Sequence, residues 1–148
     1  MKMGGLFSRN KGKRGEREVV KVLQPSIDLV YNEFGVEPPQ LLRNQMQSAV
    51  GGFDIVGIEW MALEVKFCEQ LQLSQWWVQT TRQASAGQTP TLFYRKSHCK
   101  WRVKFEAKVN HGRKIVVIPV DVEIGHFIQF FQMRLRLELA ERFSAPLV

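Results

Sequence analysis

Residues 53–67, Phe53-Asp54-Ile55-Val56-Gly57-Ile58-Glu59-Trp60-Met61-Ala62-Leu63-Glu64-Val65-Lys66-Phe67, decide how this chain folds. Two runs rich in apolar and β-branched residues, 53–58 and 61–67, flank a tight connection at Glu59-Trp60, which predicts two strands joined closely enough to pair. Side chains alternate along a strand, so Leu63, Val65 and Phe67 share one face while Glu64 and Lys66 share the other. A carboxylate and an ammonium thus project together from an otherwise apolar strand. By itself that pair also fits a solvent-facing ion pair on a half-buried sheet. Asp54 precedes Glu64 by ten residues, and in a hairpin the two carboxylates approach on one face. Asp54 alone also suits a turn after Gly51-Gly52. Crowded carboxylates repel unless something cationic joins them. Mg²⁺ suits that role, because it takes one or two carboxylates and leaves waters and phosphate to complete its shell.

Upstream, Val19, Val20 and Leu23 predict a short helix from about Gly15 to Gln24, ended by Pro25. Glu16 lies three, four and seven residues before that stripe, so it points to the core edge and needs a partner there. A metal or Lys66 would serve, and a first-turn glutamate favoured by the helix dipole is the simpler alternative. Residues 1–14 carry Lys2, Arg9, Lys11, Lys13 and Arg14 with little apolar content, the pattern of a basic flexible arm. Residues 15–148 then form one domain. Residues 25–40 read as an excursion or a short extra helix, and Leu41–Gln47 as a strand.

Downstream, Ser74–Ala86 suits a helix with Ser74 as N-cap and Gly87 as its stop. Thr89–Tyr94, Trp101–Val109 and Lys114–Val120 read as three further strands. Asp121 is placed to cap a long final helix reaching about Phe143, with Ile124, Phe127, Ile128, Phe131, Leu135 and Leu139 on one face. Phe130, Met133 and Leu137 widen its apolar surface, which suits packing on the sheet and a share in a dimer contact.

Composition sets the frame for the chemistry. The chain has 148 residues, 45% of them hydrophobic and 24% charged, as expected of one globular domain. Lysine and arginine outnumber the acids by 21 to 14, a net charge of +7, which favours a polyanionic partner. Cys68 and Cys99 make no disulfide framework and no zinc-ligand spacing. No apolar run approaches the roughly 20 residues of a membrane span, and the basic N-terminus has no secretion-signal core. These features predict a soluble, cytoplasmic protein.

With a basic chain, the set Glu16, Asp54, Glu64 and Lys66 suits metal-dependent phosphodiester hydrolysis. The carboxylates would hold one or two Mg²⁺, with Mn²⁺ a possible substitute. Lys66 would orient water or stabilise charge at phosphorus. Asp54 followed by Glu64-Val65-Lys66 resembles the acid-x-lysine core of the PD-(D/E)XK nucleases, without the proline of the motif's name. Lys11-Gly12-Lys13-Arg14-Gly15-Glu16-Arg17-Glu18 resembles the KGxxxERE opening of archaeal Holliday-junction resolvases. Leu41-Leu42-Arg43 is similar to that family's strand before the active-site loop, and Lys100-Trp101-Arg102-Val103 to a late strand of it. The resemblance spans about Lys11–Gln24 and Leu41–Val109, with residues 25–40 standing as an insertion. It implies a restriction-endonuclease-like α/β fold, a central mixed β-sheet flanked by helices, and a catalytic role for Glu16. It further implies a homodimer that nicks four-way junctions in pairs, with recognition by shape and phosphates. A compact divergent member of this kind suits a phage or other mobile element.

Related nucleases place a glutamine near the site on the following helix, which points to Gln75, although a surface glutamine fits equally. Trp76 and Trp77 suit core or dimer contacts, or stacking on unpaired bases. Lys11, Lys13, Arg14, Arg43, Arg82, Arg95 and Lys96 are the candidate phosphate contacts. Two alternatives remain beside a resolvase. One is another repair or restriction-like nuclease of the superfamily, and the other is a DNA-binding module without catalysis.

Overall fold

Val19, Leu23, Ile27 and Val30 recur every three to four positions and are all fully buried, and this stripe organises helix α1 (Met3–Glu33). The computed structural model describes residues 3–44 and 53–143, with side chains from residue 10 onward. Helix α1 is longer at both ends than its sequence predicts. It takes in most of the segment read as a basic arm, and it runs through Pro25 to Glu33. Proline inside a helix loses one hydrogen bond and costs about 3 kcal/mol. Here its ring faces solvent, while Ser26, Ile27 and Val30 beyond it are buried. Packing on both sides of the proline therefore outweighs the local cost. Gly35 ends the helix at φ +66, with backbone bonds from Gly35 to Asn32 and from Val36 to Tyr31. Gln24 then pins the returning chain, donating to the Pro39 carbonyl and accepting from the Leu41 N–H, both at 2.9 Å. The excursion expected over 25–40 is thus a helical continuation followed by an extended return.

Six strands form one sheet in sequential order among the described residues. They are β1 (Leu42–Arg43), β2 (Ile55–Val56), β3 (Met61–Phe67), β4 (Thr89–Arg95), β5 (Arg102–His111) and β6 (Lys114–Glu123). Neighbours are antiparallel except β3 and β4, which run parallel. A parallel pair needs a crossover, and helix α2 (Leu73–Gln83) supplies it. Helix α3 (Ile124–Phe143) follows β6 directly.

The sheet is mixed and flanked by helices, as the resemblance implies. Leu63, Val65, Phe67, Phe93, Val103 and Phe105 present one face to α1 and α3. On the other face Leu92 and Tyr94 pack with Trp76 of α2. Trp76 is therefore a core residue, 8% exposed. The buried stripe of α3 is Phe127, Phe131, Leu135 and Leu139, with Phe127 in edge contact with Phe93 and Phe105 at 5.2 Å.

Several boundaries differ from expectation. The strand expected over 53–58 is reduced to Ile55–Val56, and that over 41–47 to Leu42–Arg43, with 45–47 outside the described residues. Gln72, not Ser74, holds the N-cap position of α2, without a side-chain cap bond. The helix ends at Gln83, and Gly87 serves the next turn at φ +86. Asp121 does not cap α3. It lies within β6, where it accepts from the Tyr94 hydroxyl at 2.5 Å and from Arg102 at 2.9 Å. Those bonds hold the strand two residues past the expected turn into helix. No helix among the described residues is long and apolar enough to cross a membrane.

Candidate active site

The strand β3 is apolar on the α1 side, so its remaining positions, Glu64 and Lys66, fall on the α2 side beside Leu92 and Tyr94 of β4. Glu64 is not a solvent-facing partner in an ion pair: it is 1% exposed. Asp54, 7% exposed, lies across the β2–β3 ladder from it, one residue beyond the Ile55–Leu63 pair. Asp54 is fixed there twice. Its N–H donates to the Leu63 carbonyl at 3.1 Å, and its Oδ2 accepts from the Val65 N–H at 2.7 Å. The carboxylate thus stands in for a strand carbonyl where β2 stops, which explains why so short a strand holds its register.

Burial and the facing Asp54 push the Glu64 carboxyl up to about 9, with a hydrogen bond between the two side chains adding to the shift. Lys66 opposes the shift, and Glu16 adds to it from further off. In the metal-free protein at neutral pH, Glu64 therefore keeps its proton and shares it with Asp54.

Glu16 reaches this site from α1. Gly15 allows the approach: a Cβ there would lie 3.0 Å from the Phe67 Cβ and 3.3 Å from the Trp101 ring. Arg43 of β1 donates through Nε to Glu16 Oε2 at 2.8 Å, and both side chains are largely shielded, 23% and 16% exposed. Burial raises the Glu16 carboxyl above the ordinary carboxylate range; the Arg43 bond opposes this, and the Asp54 charge reinforces it. Arg43, expected as a phosphate contact, is in this state the counter-ion of Glu16.

The helix and two strands thus bring Glu16, Asp54 and Lys66 within electrostatic reach of Glu64, and Asp54 within that of Glu16. Among the described residues, however, no three acidic, histidine or cysteine side chains stand ready to hold a metal ion. Arg43 holds Glu16, and the two buried carboxyls share a proton. Asp54 and Glu64 are the donors that fit a hard divalent cation, since Mg²⁺ commonly takes only one or two protein carboxylates.

The remaining candidates divide. Gln75 is exposed on α2, in a shallow groove with Ser74, Val78, Gln79 and Arg82. Lys11, Arg14 and Arg95 gather over the Phe67 ring, at 5.0, 5.7 and 4.1 Å from its centroid. Lys11 also pairs with Glu69. Lys13 and Lys96 are exposed. Trp77 is half-buried, with Lys104 over its ring at 5.1 Å.

Glu18 organises this end of the sheet. It pairs with Arg14 and Arg95 and accepts from the Trp101 indole N–H at 3.1 Å. The Arg14–Glu18 spacing of four is a visible helix pair, but the two contacts 77 and 83 residues away have no local signature. A cavity of about 650 Å³, lined among others by Tyr31, Pro38, Trp60 and Leu139, contains none of these acids. Compared with known proteins, the chain matches no protein-family model, no curated protein and no solved structure.

Proposed function

We propose that this chain is a metal-dependent DNA endonuclease with a PD-(D/E)XK-type core, acting on four-way junctions as a pair of copies. The observation that carries the reading is the buried Asp54–Glu64 pair with Lys66 beside it on β3. Two carboxyls facing each other in a buried site are costly to charge together, and a divalent cation is a partner that suits them. The order of elements supports the reading: a helix carrying Glu16, an antiparallel β2–β3 pair carrying the other three groups, then a crossover helix to a parallel strand. A net charge of +7 suits a phosphodiester substrate.

Mg²⁺ bound at such a site supplies a Lewis acid and a water of lowered pKa. The protein's own residues do the rest. Asp54 and Glu64 would hold the ion, and Asp54 is oriented for this by the Val65 N–H. Lys66 shares their face and would hold a phosphate oxygen or the attacking water, where its charge counts most as negative charge grows at phosphorus. Arg43 can exchange Glu16 for a DNA phosphate, releasing Glu16 to the site.

The lack of a ready three-ligand set, with Glu16 engaged by Arg43, favours a second reading: a junction-binding module without catalysis. One assay separates the two. The purified chain is incubated with a fixed four-way junction and with linear duplex of equal length, with Mg²⁺ or EDTA. The nuclease reading expects paired nicks in the junction that need Mg²⁺ and vanish in Glu64→Gln while binding persists. Binding without cutting in Mg²⁺ and Mn²⁺ would establish the second reading. Equal cutting of both substrates would keep the nuclease and remove the junction preference.

A further inference from the structure

The hairpin of β5 and β6 runs past the body of the protein. Residues 108–119 are all exposed, so this stretch is a two-stranded ribbon bare on both faces. Its charge has one sign. No acid occurs between Glu106 and Asp121, while Lys108, Arg113 and Lys114 fall within that stretch. On the body, Arg14, Arg43, Arg95, Arg102 and Arg136 each pair with a carboxylate, and no ion pair among the described residues reaches the three ribbon cations. The strand register distributes these cations. Lys114 pairs with His111 on the face that Val109 and Val116 share, Lys108 pairs with Val117 on the other face, and Arg113 lies in the turn. Positive charge therefore stands on both faces of the ribbon and at its tip. The aliphatic run Ile115–Ile118 has a local reason: β-branched side chains favour the extended chain, and Val109 opposite Val116 adds a cross-strand contact.

We infer that the ribbon is a separate DNA contact, seated in the major groove of a duplex arm with Lys108, Arg113 and Lys114 on backbone phosphates. The inference rests on the DNA partner of the function proposed above and not on its chemistry, and that reading gives β5 and β6 no role. Three observations select duplex DNA as the occupant. First, the charge is complementary: three unpaired cations without an intervening acid suit a polyanion, and the chain as a whole carries +7. Second, the shape fits, because a major groove about 12 Å wide admits a two-stranded ribbon. A ribbon with cations on both faces then meets the phosphates of both strands. Third, the ribbon stands clear of the diacid. Leu92 pairs with both Glu64 and Lys104, so the tip at His111 lies seven residues further along β5, roughly 25 Å from Glu64 at about 3.3 Å per residue. That span matches about seven base pairs, so one duplex can cover both places. Strand addition by a protein is the poorer geometry, because Pro119 removes a backbone donor from β6, the last strand of the sheet. A lipid surface is the poorer polyanion, because residues 107–120 contain none of the aromatic side chains that anchor proteins at a membrane interface.

The test is binding of the full chain to a fluorescein-labelled linear duplex, followed by anisotropy in EDTA over a range of salt. Arg113→Gln combined with Lys114→Gln should weaken binding about 30-fold at about 0.15 M salt, and should lower the slope of log affinity against log salt by about 2. Far-UV circular dichroism should stay unchanged, since both side chains are exposed. Lys21→Gln combined with Arg142→Gln removes the same charge from exposed positions on α1 and α3, and should change affinity less than threefold. A wild type that leaves the duplex unbound, or a ribbon variant that binds as the wild type does, overturns the inference. So does an equal loss in the two double variants, which would make the effect one of net charge alone. Ribbon-dependent pelleting with vesicles of phosphatidylserine and phosphatidylcholine, without ribbon-dependent duplex binding, would make the ribbon a lipid contact and also overturn it. Junction cleavage in Mg²⁺ is scored separately. A chain that grips duplex through the ribbon yet cuts nothing sinks the catalytic reading and leaves this one standing.

Discussion

Replacing Glu64 with glutamine should stabilise the metal-free protein, by an amount that grows with pH. The Glu64 carboxyl lies near 9 in the folded chain and near 4.5 when free. Below about pH 4.5 both states carry the proton, and the group costs nothing. Between the two values the unfolded chain releases the proton while the folded chain keeps it. Stability therefore falls as pH rises, by about 1.4 kcal/mol per pH unit. At pH 7 the loss is about 3 kcal/mol, and it is complete only above the folded value. Glutamine does not titrate, and its amide can donate to Asp54 as the protonated carboxyl does.

Melting curves in EDTA at pH 5, 7 and 8.5 test this. Wild type and Glu64→Gln should nearly coincide at pH 5, and the variant should melt about 10 °C higher at pH 7. Saturating Mg²⁺ should raise the wild type at pH 8.5, because it takes the place of the proton held between the two carboxyls, and should leave the variant nearly unmoved. A variant less stable than wild type at pH 8.5, or a gap that does not change with pH, would refute the reasoning.

Phe127→Ala removes a fully buried ring that touches Phe93, Phe105 and Phe131, and should cost about 3–5 kcal/mol in urea unfolding. Gly57→Ala should cost about 1–3 kcal/mol by the same measurement, since φ is +138 and the new Cβ would lie 3.0 Å from the Gln40 carbonyl oxygen. Arg43→Ala leaves the shielded Glu16 carboxylate without its hydrogen bond and should lose about 1–3 kcal/mol at pH 7, with a smaller loss at pH 4 where Glu16 is protonated. Junction binding, followed by fluorescence anisotropy, should weaken steeply with salt, and Lys13→Ala with Lys96→Ala should flatten that slope.

What the sequence discloses depends on how local the cause is. The bounds of β3 are legible because alternation and β-branched residues act within seven positions. The pairing of Asp54 with Glu64 is legible because a short hairpin leaves little freedom of register. Pro25 misleads because the forces that carry α1 through it come from the sheet and from α3, which lie far along the chain. Asp121 misleads in the same way: a cap is a local pattern, whereas the partners that keep it in β6 are Tyr94 and Arg102. Within the site, the proximity of Glu16 is foreseeable from its helical stripe, and its engagement by Arg43 is not, because those residues are 27 apart.

The acid pair poses a question of stability that bears on function. A carboxyl held at about 9 in a dry site lowers stability at neutral pH. A glutamine at position 64 would fill the same space beside Leu92 without that cost. Asp54 alone explains itself, since its Oδ2 completes the ladder at Val65. Glu64, with Lys66, breaks the apolar pattern of the strand at two adjacent positions on one face. On the reading proposed above, function accounts for such a position, and a buried diacid beside a lysine suits proton transfer or the holding of a cation. Proton transfer needs an enclosed pocket for a small substrate, and the cavity of about 650 Å³ lies among other residues. Cation binding needs only the two carboxyls and an incoming phosphate, and a chain of net charge +7 is suited to bringing that phosphate in.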